Sequence, residues 1–178
     1  MGVELMGKTV GIVGVGAIGT RTAELCHAFG CKVLGNKRHV RGDEPDYIEF
    51  VSLEELLSRS DIVSLHCPLN EDSRGMINKD TIAKMKPGAL LINAARGPVV
   101  DSQALADALN NGDLGGAGID VFETEPPLNL DHPLLHSKNT IVTPHVAFAS
   151  AESMETRCKI VFDNIAQWMD GHQTNIIL

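Results

Sequence analysis

The sequence predicts an α/β fold built on a doubly wound parallel sheet, and three observations predict it. Short β-branched runs alternate with longer segments of helical spacing along the chain. The strand segments are mostly continuous apolar runs, which suits parallel strands covered by helices on both faces. A glycine-rich turn closes the first strand and opens the first helix. Strand–helix alternation then implies right-handed crossovers within one sheet.

The elements follow in order. Residues 8–13 (KTVGIV) read as a strand, and 18–29 as a helix ended by Gly30, because glycine adopts the left-handed conformation that stops a helix. Residues 32–35 form a second strand, 53–59 a short helix and 62–65 a third strand. A Lys-Pro-Gly turn at 86–88 leads into a fourth strand at 89–93. Ser102 is expected to cap a helix running to Asn111, its hydroxyl accepting an unpaired backbone N–H. Strands at 117–121 and 140–143 complete the sheet. The last helix, 151–169, carries an apolar stripe of Met154, Cys158, Val161, Ile165 and Trp168. That stripe can pack on the chain's own sheet or serve a lobe or subunit interface.

Composition narrows the function. The 178 residues are 43% hydrophobic and 21% charged, the profile of a globular domain with one core. Lys and Arg number 15 against 23 Asp and Glu, for a net charge of −8. An acidic surface repels phosphate backbones and anionic lipid, so neither nucleic acid nor membrane is expected as partner. No apolar run reaches the length of a bilayer-spanning helix, and the N-terminus does not read as a secretory signal. Cys26, Cys31, Cys67 and Cys158 form no CxxC pair and no metal-ligand spacing. They read as small buried hydrophobes of a cytoplasmic protein, and no metal is expected.

Gly14-Val15-Gly16-Ala17-Ile18-Gly19 fits GxGxxG between a strand and a helix. Gly14 permits the tight turn, Gly16 lets backbone approach a pyrophosphate, and Gly19 lets helix and strand pack closely. The free N–H groups at that helix start face the phosphates. Glycines serving only as turn residues are the alternative. A dinucleotide site of this kind usually has an acid at the end of the second strand for the ribose hydroxyls. Here Asn36, Lys37, Arg38 and His39 stand there, with Arg41 beyond, and the first carboxylate is Asp43. Such cations suit the 2′-phosphate of NADP, so NADP is expected ahead of NAD. A solvated basic loop beside bound NAD is the other reading.

Three polar groups follow strand ends, where open α/β sheets bind ligands. Arg96 lies in Asn93-Ala94-Ala95-Arg96-Gly97, Glu125 follows the strand that ends at Asp120, and His145 lies in Thr143-Pro144-His145. Singly each has a structural explanation; together, behind a dinucleotide fingerprint, they read as a reaction centre.

The segments GIVGVGAIG, SDIVSLHCPLNEDSRGMIN, MKPGALLINAARGPVVD, GAGIDVFETEPP and TPHVA resemble the nucleotide-binding Rossmann domain of the D-isomer-specific 2-hydroxyacid dehydrogenases. That family includes phosphoglycerate dehydrogenase, D-lactate dehydrogenase and glyoxylate/hydroxypyruvate reductases. The resemblance implies that Arg96 holds the substrate carboxylate and carbonyl, and that His145 is the general acid/base with Glu125 on its other nitrogen. It implies that Asp120 binds the nicotinamide carboxamide, while Cys67, Pro68, Ala94 and Ala95 line the cofactor cleft. Lys37 or Arg38 replaces the usual ribose-binding acid. The residue types suit the reaction. Imidazole exchanges protons near neutral pH, a neighbouring carboxylate stabilises its charged form, and Arg offers a planar fork to a carboxylate.

The resemblance also implies a single nucleotide-binding domain over residues 1–178, with 151–178 as a C-terminal helix and return segment. The N-terminal part of the substrate lobe is expected to be absent, so the chain should bind dinucleotide yet turn over little. A homodimer and a small 2-hydroxy or 2-keto acid substrate are expected partners. The competing class is a non-catalytic nucleotide-sensing module resembling the C-terminal-binding-protein corepressors.

Overall fold

The computed structural model describes residues 2–124 and 127–176. The chain divides into two compact units, Met1–Pro144 and His145–Leu178. In the first, the described residues form strands β1 (Thr9–Val13), β2 (Lys32–Asn36), β3 (Ile48–Phe50), β4 (Ile62–Leu65), β5 (Leu90–Asn93), β6 (Gly116–Ile119) and β7 (Thr140–Val142). Between them lie helices α1 (Ala17–Ala28), α2 (Leu53–Arg59), α3 (Lys79–Ile82) and α4 (Ser102–Asn111). The strands make one sheet in the order β3-β2-β1-β4-β5-β6-β7, and every described pairing is parallel. Strand order therefore reverses between β1 and β4. Crevices at such switch points, outside the carboxyl ends of strands, are where open α/β sheets take ligands.

Side chains alternate across the sheet and explain the apolar runs. Val10, Ile12 and Val33 join Ala23 of α1 in one cluster. Val13 and Leu34 join Leu56 and Leu57 of α2 in the other. A Cβ on Gly11 would lie 2.4 Å from Leu56, so β1 meets α2 closely there. Both faces are covered, which is why β1 beyond Thr9 is apolar throughout and Ser64, the polar residue of β4, is itself buried.

Several expectations need correction. Ile48–Phe50 is a strand and Lys79–Ile82 a helical turn, neither of which the hydrophobic pattern announces. The side-chain cap of α4 is Asp101, whose carboxylate accepts the Ala104 N–H at 3.0 Å. Ser102 instead donates its hydroxyl to Glu123. Of the cysteines expected in the core, Cys31 is buried, Cys26 and Cys67 are half-buried, and Cys158 is exposed.

In the second unit, α5 (Ala151–Met169) starts on a capping box formed by Ser150 and Ser153. None of its residues is buried, those of the expected apolar stripe included. No helix among the described residues is long and apolar enough to cross a membrane.

Candidate functional site

The turn after β1 is shaped by what its glycines exclude. Gly14 has φ +95°, and a Cβ there would lie 2.5 Å from the backbone nitrogen of Cys67. Both facts forbid a side chain at moderate cost. A Cβ on Gly19 would lie 2.2 Å from the Gly14 carbonyl oxygen, so α1 is pressed against the turn. Gly16 meets nothing within 4 Å. It is the N-cap of α1 and provides no side-chain hydrogen bond to the first turn. The helices α2, α3, α4 and α5 begin on Ser52, Asn78, Asp101 and Ser150, each accepting a first-turn N–H. The start of α1 thus combines unpaired donors with open space.

That space belongs to a cleft of about 680 Å³ at the carboxyl ends of β1, β2 and β4. Its lining includes Gly14, Gly16, Asn36, Lys37, Arg38, Cys67 and Pro68. The structure thus brings together seven of the residues expected to hold a dinucleotide; Ala17, Ile18 and Gly19 form the adjoining first turn of α1. Val13, Val15, His66, Asn70, Asp72, Ser73 and Met76 also line it, and the sequence reading did not single them out. His66 and Asp72 belong to the β4–α3 connection, which only the fold brings opposite β2.

Electrostatics differ along the cleft. The Asn36 amide donates to the Val51 carbonyl at 3.0 Å, fixing the end of β2. Lys37 pairs with Glu44 and Arg38 with Asp72, so two cations of the expected basic cluster already face carboxylates. Glu44 also accepts the Arg41 and Gly42 N–H groups at 2.8 and 2.7 Å. These bonds, led by Arg41 and Lys37, hold its carboxyl down at about 2. Burial lowers the His66 imidazole below its ordinary range, and His66 Nε2 lies 2.9 Å from the Ser64 hydroxyl. Burial raises the Cys67 thiol, which argues against a reactive thiolate.

The ends of β5 and β6 lie side by side, with Asn93 in register with Ile119. Buried Asn93 organises the turn after β5: its Oδ1 accepts the Ala95 N–H at 3.0 Å and its Nδ2 donates to the Arg96 carbonyl at 3.1 Å. The exposed Arg96 guanidinium donates to the Ala95 carbonyl at 2.6 Å. Gly97 is obligatory, since a Cβ would lie 1.9 Å from the Phe122 carbonyl. Asp120 is buried at the end of β6, where Thr143 donates to its Oδ1 at 2.5 Å. Two residues further, Phe122 stacks edge-on against His132, and Glu123 bonds both Ser102 and His132. Glu125 lies outside the described residues. His145 opens the second unit with φ +56°, a conformation that costs a non-glycine residue and often marks functional positions. Within that unit its ring meets Phe148 edge-on at 5.8 Å.

Comparisons with known proteins agree with this geometry. The family described as D-isomer specific 2-hydroxyacid dehydrogenase, NAD binding domain, matches residues 1–147. A hydroxypyruvate reductase of Blautia hydrogenotrophica is 42% identical over 176 residues, 98% of this chain and 54% of that protein. The crystal structure of D-lactate dehydrogenase with NAD+ from Lactobacillus jensenii superposes with TM-score 0.90 at 31% identity, covering 100% of this chain and 57% of that one. An acyclic imino acid reductase in complex with NADPH and D-Arg gives TM-score 0.90 at 34% identity, covering 100% and 56%. The chain spans about half the length of the curated relatives it matches.

Proposed function

The chain belongs to the D-isomer-specific 2-hydroxyacid dehydrogenases through their NAD-binding domain, and from that premise we propose that it is the NAD(P)-binding half of an oxidoreductase interconverting D-2-hydroxy acids and 2-keto acids. The observation that carries the proposal is the open, uncapped start of α1 facing the switch-point cleft. The residues present fit a dinucleotide: Gly16 leaves room where a side chain would stand, and the α1 N–H groups await an anion. When bound, the nicotinamide donates or accepts the hydride of the reaction.

The chain's own residues supply the rest. Arg96 would grip the substrate carboxylate through paired N–H donors, which fixes the carbonyl carbon in place. His145 would pass a proton to the carbonyl oxygen or take it from the hydroxyl, with Glu125 orienting the imidazole. Asp120, buried beside Thr143, would accept from the nicotinamide carboxamide. Ala94, Ala95, Cys67 and Pro68 would border the ring. Beyond Asn36, Lys37 and Arg38 favour the 2′-phosphate of NADP over the bare ribose of NAD, by a small margin. The imino acid reductase with NADPH shows that this fold accommodates either dinucleotide in different proteins.

The same proposal makes these 178 residues alone poor catalysts, because their relatives are about twice as long and lobe closure excludes water and positions reactants. It places the protein in the cytoplasm as a homodimer. The test is a titration with NADH and NADPH followed by a turnover assay against glyoxylate, hydroxypyruvate and pyruvate. Binding with little turnover is expected. Robust reduction of any of these by the 178 residues would overturn the half-enzyme reading. In an enzyme completed with a substrate lobe, His145→Ala should cut kcat at least ~10²-fold, and near-normal turnover would overturn its assignment. Binding of neither dinucleotide would refute the whole proposal.

A further inference from the structure

The two cations at the ribose end of the cleft are held very differently. Lys37 is enclosed: its side chain is 19% exposed, it pairs with a Glu44 side chain 8% exposed, and its ammonium lies 5.5 Å from the Phe50 ring centre. Glu44 is anchored in turn by the Arg41 and Gly42 N–H groups of its own loop. Breaking that pair would strand a carboxylate that the loop is folded around. Arg38 and its partner Asp72 are each 68% exposed. Arg38 and Asp72 come from opposite rims of the cleft and both line it. Asp72 rides on a hydrogen-bonded turn. The Asn70 Oδ1 accepts the Asp72 and Ser73 N–H groups at 3.0 Å each, and the Ser73 hydroxyl donates to the Pro68 carbonyl at 2.6 Å.

We propose that Asp72 is a specificity-determining residue, an internal competitor that occupies Arg38 until the 2′-phosphate of a dinucleotide displaces it. This rests on the dinucleotide-binding reading and assigns its finer choice to one exchangeable ion pair. An exposed pair of this kind holds its partners by no more than about fivefold. A phosphate monoester brings nearly two negative charges and a bidentate fit to guanidinium, so it wins the exchange. NAD brings no anion to that point and leaves the pair intact. Lys37, committed to Glu44, contributes field but does not switch partners. The preference for NADP is therefore present but blunted.

The experiment is a fluorescence titration of NADPH and NADH against the 178-residue protein and three variants. Asp72→Asn should shift the NADPH-to-NADH affinity ratio toward NADPH by about three- to fivefold. Arg38→Ala should shift it the other way by about tenfold or more. In the Arg38→Ala background, Asp72→Asn should lose its effect, because the competitor has nothing left to occupy. Three results would overturn the inference: an unchanged ratio in Asp72→Asn, equal tightening of both dinucleotides, or an Asp72→Asn effect that persists without Arg38. With NADH bound normally, those results would leave the dinucleotide reading standing. Failure of the unaltered protein to bind either dinucleotide would bring both down. Both side chains are exposed, so thermal melts of the variants should match the parent.

Discussion

Helices α1 and α2 pack on the same two strands, β1 and β2, and begin in opposite ways. At α2, Ser52 and Glu55 satisfy each other's backbone N–H groups: Ser52 Oγ accepts the Glu55 N–H at 3.2 Å, and Glu55 Oε2 accepts the Ser52 N–H at 3.1 Å. At α1, Gly16 offers no oxygen, and no acidic residue stands in the first turn. A capping side chain is a cheap source of stability. Leaving α1 without one means that its donors serve something outside the folded chain. The pair teaches that a local rule obeyed by neighbouring helices and broken at one points to the site.

The sharpest way to break this contrast is to give α1 the cap it lacks. Gly16 has φ −99° and ψ −161°, an extended conformation open to any residue, and nothing within 4 Å of a Cβ. Gly16→Asp should raise stability by about 0.5 kcal/mol through a cap and a favourable dipole contact. It should also weaken dinucleotide binding at least ~100-fold, because a carboxylate then faces the pyrophosphate. A thermal melt and a titration on the same sample check both signs. A variant that bound normally would show that the α1 N-terminus is not the phosphate site.

The reverse alteration removes a cap where it exists. Ser52→Ala should cost about 1 kcal/mol, read as a fall in Tm of roughly 2–4 °C, with dinucleotide affinity unchanged. A loss of affinity comparable to that of Gly16→Asp would erase the distinction between a structural and a functional helix start.

Much of this contrast is legible in the sequence, for physical reasons. The glycine turn is encoded within six consecutive residues, so Gly14, Gly16 and Gly19 announce their roles locally. β1, β2, β4 and β5 carry mostly continuous apolar runs bounded by turn residues, which mark buried parallel strands. β3, Ile48–Phe50, is interrupted by the exposed Glu49 and offers no continuous apolar run, while α3 is a single helical turn, too short for a 3.6-residue period to show. Asp101 rather than Ser102 caps α4 because adjacent residues compete for one role, and Glu123, from beyond β6, draws the Ser102 hydroxyl away. Asp72 was illegible. It stands 34 residues from Arg38, and only the switch between β1 and β4 makes them neighbours across a cleft. Local chemistry is written in the sequence; pairing across the cleft is written in the topology.

The smallest expected effect concerns acid. The Ser52 hydroxyl and N–H hold the Glu55 carboxyl below its ordinary pKa, against the nearby negative charge of Glu49 and with help from Arg59. A carboxyl whose pKa is depressed by folding binds its proton less tightly in the folded state than in the unfolded one. Its contribution is therefore complete above the unfolded value, about 4.3, and is lost as pH falls through the folded one. Gln keeps a capping-box geometry without the charge. Glu55→Gln should accordingly melt slightly below the parent at neutral pH, and the gap should narrow as pH falls below about 4.3. The other carboxyls titrate alike in both proteins and cancel in the difference. The α1 start has no first-turn acid to titrate, so acid acts there only through ligand binding. A gap that stayed constant down to pH 3 would mean that the Glu55 charge contributes nothing, leaving α2 capped by the serine hydroxyl alone.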